Sequence, residues 1–232
     1  MGDISITKSQ VDKAGSKIRK YVRGDLGDRG QLEHAFRVLE AYRASHQYPL
    51  AKANNGLRSM IHTEGGRLEV SQRMKRFMTI LDKLQREPTL ALSRMQDIGG
   101  CRAVLASVDE IRRVEARLRK RRPVVGYSDY ITRPRSSGYR GVHVVVEYDS
   151  RCIEIQLRTP LMHLWAITVE RQSAVLGENL KQDGYHAVQR FMAAMSEAMA
   201  LDEAGAPIPK RFLAEIQQLR LEADPYLAKG SV

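Results

Sequence analysis

Two acidic residues stand where carboxylates can do chemistry. Asp97 lies in Arg94-Met95-Gln96-Asp97-Ile98-Gly99-Gly100-Cys101-Arg102, ahead of paired glycines that allow close backbone approach. Glu154 lies in Arg151-Cys152-Ile153-Glu154-Ile155-Gln156-Leu157-Arg158, whose apolar and polar residues alternate with the period of a strand. Together they offer two hard oxygen ligands, enough to anchor Mg²⁺ when substrate phosphates complete its octahedron. A cationic group comes next. Residues 74–86 read as one amphipathic helix on which Lys75, Thr79 and Lys83 fall within an arc of about 80°, with Arg76 at its edge. Met74, Phe77, Met78, Ile80, Leu81 and Leu84 occupy the opposite arc, and Arg73 stands just before the helix. Such a stripe suits a triphosphate, whose oxygens accept charge-assisted hydrogen bonds. Residues 129–140 form a Pro/Gly/Ser loop with three arginines, Arg135 among them, and Tyr139, whose ring could stack a base. Taken singly, each feature is also what an ordinary solvated face carries.

The elements that must position these residues follow from periodicity. Val142–Tyr148 and Arg151–Leu157 read as strands joined by Asp149-Ser150, a two-residue hairpin connection. Pairing Tyr148 with Arg151 puts Val145 opposite Glu154 and His143 opposite Gln156. Ile153, Ile155 and Leu157 then face the core, while Glu154, Gln156 and Arg158 emerge beside His143. Upstream, residues 9–23 predict a helix capped by Ser9, and residues 29–46 a second through Leu32, Phe36, Leu39 and Tyr42. Pro49 interrupts, and a short third helix runs through Leu57 and Ile61. Further strands are expected at Ala103-Val104-Leu105 and Val124-Val125, and a charged helix near 108–121. Beyond Pro160 the pattern is helical, with a stripe of Val188, Met192, Met195 and Met199, a last helix after Pro209, and a frayed Gly230-Ser231-Val232. The division this predicts is a helical region 1–66, a mixed core 67–180 and C-terminal helices 181–232.

Composition narrows the class. The chain has 232 residues, 38 Lys+Arg against 27 Asp+Glu, and a formal charge of +11. That balance biases it toward polyanionic partners such as nucleotides or RNA. Cys101 and Cys152 are the only cysteines, so a disulfide scaffold is excluded and no paired spacing suggests structural zinc. No leader sequence reads well at the start, and no apolar run approaches the roughly 20 residues a membrane span needs. A soluble, cytoplasmic chain with no membrane partner is expected. Arg117, Arg119, Lys120, Arg121 and Arg122 form a basic run that a large nucleic acid could use.

Taken in order, RMKRFMTILDK (73–83), MQDIGGCR (95–102), DYITRPRSSGYRGVH (129–143) and EIQLRTPLMHLWA (154–166) resemble the synthetase domain of the RelA/SpoT family, the alarmone synthetases. The resemblance covers about half the chain. It implies an α+β fold, a mixed β-sheet flanked by helices and distantly like nucleotidyltransferases. It also implies an ATP-dependent pyrophosphokinase that uses Mg²⁺ to transfer the β,γ-pyrophosphate of ATP to a 3′-hydroxyl, usually of GDP or GTP. Carried over by motif, Arg73, Lys75, Thr79, Lys83 and Arg102 would hold ATP, with Thr79 where many relatives have serine. Asp97 and Glu154 would bind the metal, and Glu154 would help deprotonate the acceptor. Tyr139 would stack on the acceptor base, while Arg135, His143, Gln156 and His163 would line the acceptor or phosphate side. Gly141 stands where many members have serine, and His163 where several small members have asparagine. No HD-type hydrolase motif is present among the six histidines. The resemblance leaves open a toxin branch that modifies the 3′ end of tRNA and has an antitoxin partner, a homo-oligomeric state, and an inactive RNA-binding module.

Overall fold

The computed structural model describes residues 6–25, 27–66, 69–180 and 186–227. The junctions expected at 66/67 and 180/181 and the fraying of residues 230–232 involve residues outside that set. Three helices come first: α1 (Lys8–Val22), α2 (Arg29–Ala44) and α3 (Gln47–Thr63). The central elements are β1 (Glu69–Met74), α4 (Phe77–Arg86), a 3₁₀ turn at Leu92–Arg94, β2 (Gly99–Val104), α5 (Val108–Arg121), β3 (Val124–Asp129), β4 (Val142–Tyr148) and β5 (Arg151–Arg158). Then follow α6 (Pro160–Leu176), α7 (Ala187–Glu203) and α8 (Lys210–Leu227).

Among the described residues the strands form one mixed sheet in the order β1-β2-β5-β4-β3. β2 and β5 run parallel and every other pairing is antiparallel. The expected α+β fold, a mixed β-sheet flanked by helices, is the one observed. The hairpin register is also as expected, with Tyr148 opposite Arg151, Val145 opposite Glu154 and His143 opposite Gln156. Asp149 and Ser150 take φ of 47° and 59°, the left-handed pair that a two-residue turn between twisted strands requires.

One sheet face is apolar. Cys101, Ala103, Val142, Val144, Ile153, Ile155 and Leu157 are buried there beneath α3 and α5, against Leu57, Ile61, Ile111 and Val114. Truncating such a side chain, as in Leu57→Ala, costs about 2–5 kcal/mol because transfer and cavity penalties add. A second core joins Val11 and Ile18 of α1 and Leu39 of α2 to Ile80 and Leu84 of α4 and to Leu92 and Ile98. It fixes α4 and the loop before β2 relative to the sheet. Asp12 reinforces it, accepting from the Ser93 backbone N–H at 2.9 Å and from Ser93 Oγ at 3.0 Å. A third core of Tyr139, Trp165, Ala166, Val169, Val188 and Met192 ties the 130–141 loop to α6 and α7.

Several local expectations are corrected. The first helix starts earlier than expected, at Lys8, because Thr7 and Gln10 form a reciprocal capping box that Ser9 does not. Pro49 does not interrupt: it sits in the first turn of the 17-residue α3, where its missing N–H would have had no helical partner. Residues 74–86 are not one helix. Met74 ends β1, paired with Gly99, and the Lys75 N–H continues the ladder to the Ile98 carbonyl at 2.7 Å. The helix starts only at Phe77, so strand pairing overrides a helical apolar pattern. Met78 lies outside the core, 65% exposed.

Candidate active site

The second sheet face is polar. Register places Ser71, Arg102, Gln156 and His143 in one row across β1, β2, β5 and β4, and Arg73, Gly100, Glu154 and Val145 in the adjacent row. Side-chain alternation sends all of them to the side opposite the α3/α5 layer. Arg73, Asp97, Gly100, Arg102, Glu154 and Gln156 line a cavity of about 60 Å³. A neighbouring cavity of about 160 Å³ shares Arg73, Arg102 and Gln156 and adds Arg135, Tyr139, His143 and Arg158. Eight of the expected site residues therefore line two hollows that share part of their walls: Arg73, Asp97, Arg102, Arg135, Tyr139, His143, Glu154 and Gln156; Lys75 and Lys83 join them through their bonds to Asp97.

Asp97 stands at the entry to β2 between two lysines. Lys75 Nζ donates to its Oδ2 at 2.7 Å and Lys83 Nζ to its Oδ1 at 3.0 Å. Burial pushes the carboxyl upward, but the two ammonium groups outweigh it and hold Asp97 below the ordinary carboxylate value. Lys75 thus converges with Lys83 as expected, although from the β1–α4 connection and not from a shared helical stripe. Thr79 is exposed on α4, one turn before Lys83.

Among the described residues, two side chains hydrogen-bond Glu154. His143 Nδ1 lies 2.9 Å from its Oε1, and Gln156 Nε2 donates to its Oε2 at 2.7 Å. Burial again works upward, and the His143 and Gln156 contacts overcome it, so Glu154 is held ionised. Two ionised carboxylates on one cavity fit the donor set of Mg²⁺. Among the described residues no group of three or more His, Cys, Asp or Glu side chains converges to hold a metal. The remaining ligands would have to be phosphate oxygens and water, which is how Mg²⁺ is held at nucleotide sites.

The cations are placed for an anion. Arg102 Nε and Arg158 Nη1 are buried without a hydrogen-bond partner, and both side chains line the larger hollow. Unpaired buried donors are costly, and polyanion oxygens would satisfy them. His163, near the start of α6, is half-buried with Nδ1 also unpartnered. Burial lowers its pKa, and the charges of Arg102 and Arg158 lower it further, favouring the neutral ring.

Tyr139 differs from expectation. Its ring is 6% exposed, with Arg158 over one face at 5.1 Å and Tyr130, His143 and Trp165 against its edges. The contact with Trp165 holds the ring in the third core, so little of it is exposed to a base in this structure. Tyr130, half-buried under the Arg135 guanidinium at 4.6 Å, is an aromatic group of the same loop that sequence pattern does not single out. Strand alternation puts Arg158 on the correct face but gives it no role; its buried hydrogen bonds emerge only from the folded geometry.

The polar face, the glycine-flanked acid and the cationic rim belong to a stretch of chain that other proteins share. Residues 72–174 match the profile described as the region found in RelA / SpoT proteins. The GTP pyrophosphokinase YjbM of Bacillus subtilis (strain 168) is 34% identical over 170 residues, an alignment covering 64% of this chain and 80% of that relative. This chain belongs to the RelA/SpoT family. Among solved structures, small alarmone synthetase 1 from Bacillus subtilis superposes with a TM-score of 0.60 at 27% identity, covering 77% of this chain and 97% of that one. The same enzyme bound to its product pppGpp gives 0.59 at 28%, covering 80% and 97%. The RelA/SpoT match begins inside β1 and ends inside α6, so it contains every candidate site residue. None of the described helices is long and apolar enough to cross a membrane.

Proposed function

We propose that this RelA/SpoT protein is a pyrophosphokinase that transfers the β,γ-pyrophosphate of ATP to the 3′-hydroxyl of GDP or GTP, yielding (p)ppGpp-type alarmones. The observation that carries the reading is the pair of ionised carboxylates, Asp97 and Glu154, on one cavity lined also by Arg73 and Arg102, with Lys75 and Lys83 bonded to Asp97. Transfer of this kind asks for alignment and charge neutralisation more than for covalent help from the protein. The names of the relatives, a GTP pyrophosphokinase and an alarmone synthetase bound to pppGpp, support the guanine nucleotide as acceptor.

In the reaction the acceptor 3′-oxygen bonds to the β-phosphorus, the bond from that phosphorus to the α,β-bridging oxygen breaks, and AMP departs. Arg73, Lys75, Thr79, Lys83 and Arg102 hold the triphosphate, and the lysines exchange Asp97 for phosphate oxygens as ATP enters. Magnesium, held by Asp97 and Glu154, would neutralise charge on the phosphoryl oxygens. Glu154 orients the hydroxyl and accepts its proton, while His143, Gln156, Arg135 and His163 border the acceptor.

A tRNA acceptor is the alternative, but the basic run it would use is largely committed within the chain. Arg117 pairs with Glu64 at 2.8 Å, Arg119 with Glu115 at 3.2 Å, and Arg122 covers the Tyr148 ring at 4.4 Å. The deciding experiment incubates the protein with γ-labelled ATP and Mg²⁺, offering GDP, GTP, AMP and deacylated tRNA separately. Label on GDP or GTP is expected. Label on tRNA alone would replace this reading with the toxin-type activity, and no label anywhere would leave an inactive RNA-binding module.

A further inference from the structure

Arg158, at the end of β5, is 3% exposed and makes no hydrogen bond to Glu154 among the described residues. Yet both hydrogen bonds that Glu154 receives trace back to it. Along one path Arg158 donates from Nε and Nη2 to Tyr139 Oη, at 3.2 and 2.9 Å. Tyr139 Oη lies 2.5 Å from His143 Nε2, and His143 Nδ1 lies 2.9 Å from Glu154 Oε1. Along the other, Arg158 Nη2 donates to Gln156 Oε1 at 2.9 Å, and Gln156 Nε2 donates to Glu154 Oε2 at 2.7 Å.

Counting donors fixes the direction of every bond. A guanidinium only donates, so Arg158 occupies both lone pairs of the phenolic oxygen. The Tyr139 hydrogen must then go to His143 Nε2, which has to be bare. A neutral imidazole with bare Nε2 carries its hydrogen on Nδ1, where it meets the carboxylate. A hydrogen on Nε2 would instead oppose the Tyr139 hydroxyl hydrogen and leave bare Nδ1 against Glu154 Oε1. The second path has the same polarity: the Gln156 carbonyl is drawn to Arg158, which turns its amide N–H₂ toward Glu154.

We propose that Arg158 is a positioning residue whose single guanidinium sets the His143 tautomer and the Gln156 amide orientation, so that both paths end as donors to Glu154. The carboxylate is thereby oriented by two bonds, one per oxygen, from a buried cation it does not touch. The role is distinct from stacking, for it uses the hydroxyl of Tyr139 and not its ring. It rests on the assignment of Glu154 above only as far as turnover is concerned; the hydrogen-bond polarity stands by itself.

The test has a spectroscopic part and a kinetic part. In uniformly ¹⁵N-labelled protein, the ring nitrogens of His143 are read from two-bond ¹H–¹⁵N correlations and assigned by their loss in His143→Gln. Protonated Nδ1 with bare Nε2 is expected; protonated Nε2, or a doubly protonated ring, would overturn the proposal. Tyr139→Phe keeps the ring and adds no volume, so it folds while breaking the first path. It should move the His143 nitrogen signals and lower kcat about tenfold with the acceptor KM changed less than about twofold, as expected for one lost hydrogen bond that orients and does not bind. Arg158→Lys, which breaks both paths, should lower kcat at least as far, and the double variant should fall no further than Arg158→Lys alone, because Tyr139→Phe then interrupts a path already broken. Wild-type kcat in Tyr139→Phe, or fully additive losses, would refute the role. Should neither GDP nor GTP accept label, the proposed function fails, and the His143 tautomer still decides this inference separately.

Discussion

Lys75 grips Asp97 across the end of two paired strands, its Nζ 2.7 Å from Oδ2, and side-chain exposures of 12% and 23% leave the pair largely out of solvent. With Lys83 on the other oxygen, Asp97 is the only carboxylate bound by two cations at the cavity among the described residues. Asp97→Asn should abolish transfer and also lower stability by about 1.5–3 kcal/mol, since two lysines are left facing a neutral amide. Turnover assays and urea titration at neutral pH measure both. Wild-type stability in the variant would mean that the pairs contribute nothing to the resting fold.

The same pairs predict an acid dependence. Asp97 and Glu154 are both held below their ordinary pKa values, so each contributes stability that is fully present above the unfolded-state value and lost as pH falls through the folded-state value. Unfolded carboxyls titrate near about 4, which places the loss below that pH. Urea midpoints followed from pH 6 to pH 3 should fall more steeply in wild type than in an Asp97→Asn, Glu154→Gln double variant. Parallel curves would assign the acid sensitivity elsewhere.

Much of this site is legible in the amino-acid sequence, and the reason is local. The β4–β5 hairpin rests on strict two-residue alternation and a two-residue connection, so its register, and the meeting of His143, Glu154, Gln156 and Arg158, follow from pattern alone. β1 is not legible, because Glu69-Val70-Ser71-Gln72-Arg73-Met74 has no clean alternation and becomes a strand only by pairing with β2. Periodicity consequently draws Lys75 into a helix to which it does not belong. The covered ring of Tyr139 depends on Trp165 and α7, which are distant in the chain. The commitment of Arg117 and Arg119 is hidden for a similar reason: Glu64 comes from the end of α3, and Glu115 is buried beneath the basic run.

For the donor subsite, Lys83→Ala should weaken ATP binding about ten- to hundredfold, the value of a lost charge-assisted phosphate contact, and barely alter GDP binding. Titration calorimetry with a non-hydrolysable ATP analogue and with GDP provides the comparison. Equal losses for both ligands would indicate a general electrostatic effect and remove Lys83 from the triphosphate site.

Lys120 and Arg121 are exposed and, unlike Arg117 and Arg119, take part in none of the ion pairs of the described residues. Reversing both to Glu therefore tests the basic run without breaking the fold. With GDP as acceptor, turnover should change less than about twofold, since charges beyond a Debye length of about 8 Å are screened at physiological salt. With a tRNA acceptor it should drop, and the dependence of rate on KCl should flatten as fewer counterions are released. Measuring rate against KCl for both acceptors separates the two cases.

Gly138 links the 130–141 loop to α7, and its geometry permits little else at that position. Its φ is +89°, and an added Cβ would lie 2.7 Å from the Ala193 Cα, a backbone atom that cannot swing away. Its carbonyl accepts from Ser196 Oγ at 2.6 Å, and the next residue, Tyr139, packs on Trp165. Gly138→Ala should therefore cost about 1–3 kcal/mol in backbone strain, with the close contact adding to it. The displacement would also carry Tyr139 and Arg135 away from the hollow, so kcat should fall with the broken Tyr139 path and acceptor KM should rise with the displaced Arg135, while ATP affinity is kept, because Arg73, Lys75, Lys83 and Arg102 are held by the sheet and α4. Ser196→Ala removes only the hydrogen bond and should show a smaller change in the same direction. Loss of ATP and acceptor binding together in Gly138→Ala, at a temperature where the variant remains folded by circular dichroism, would show that the loop supports the whole site and not the acceptor side alone.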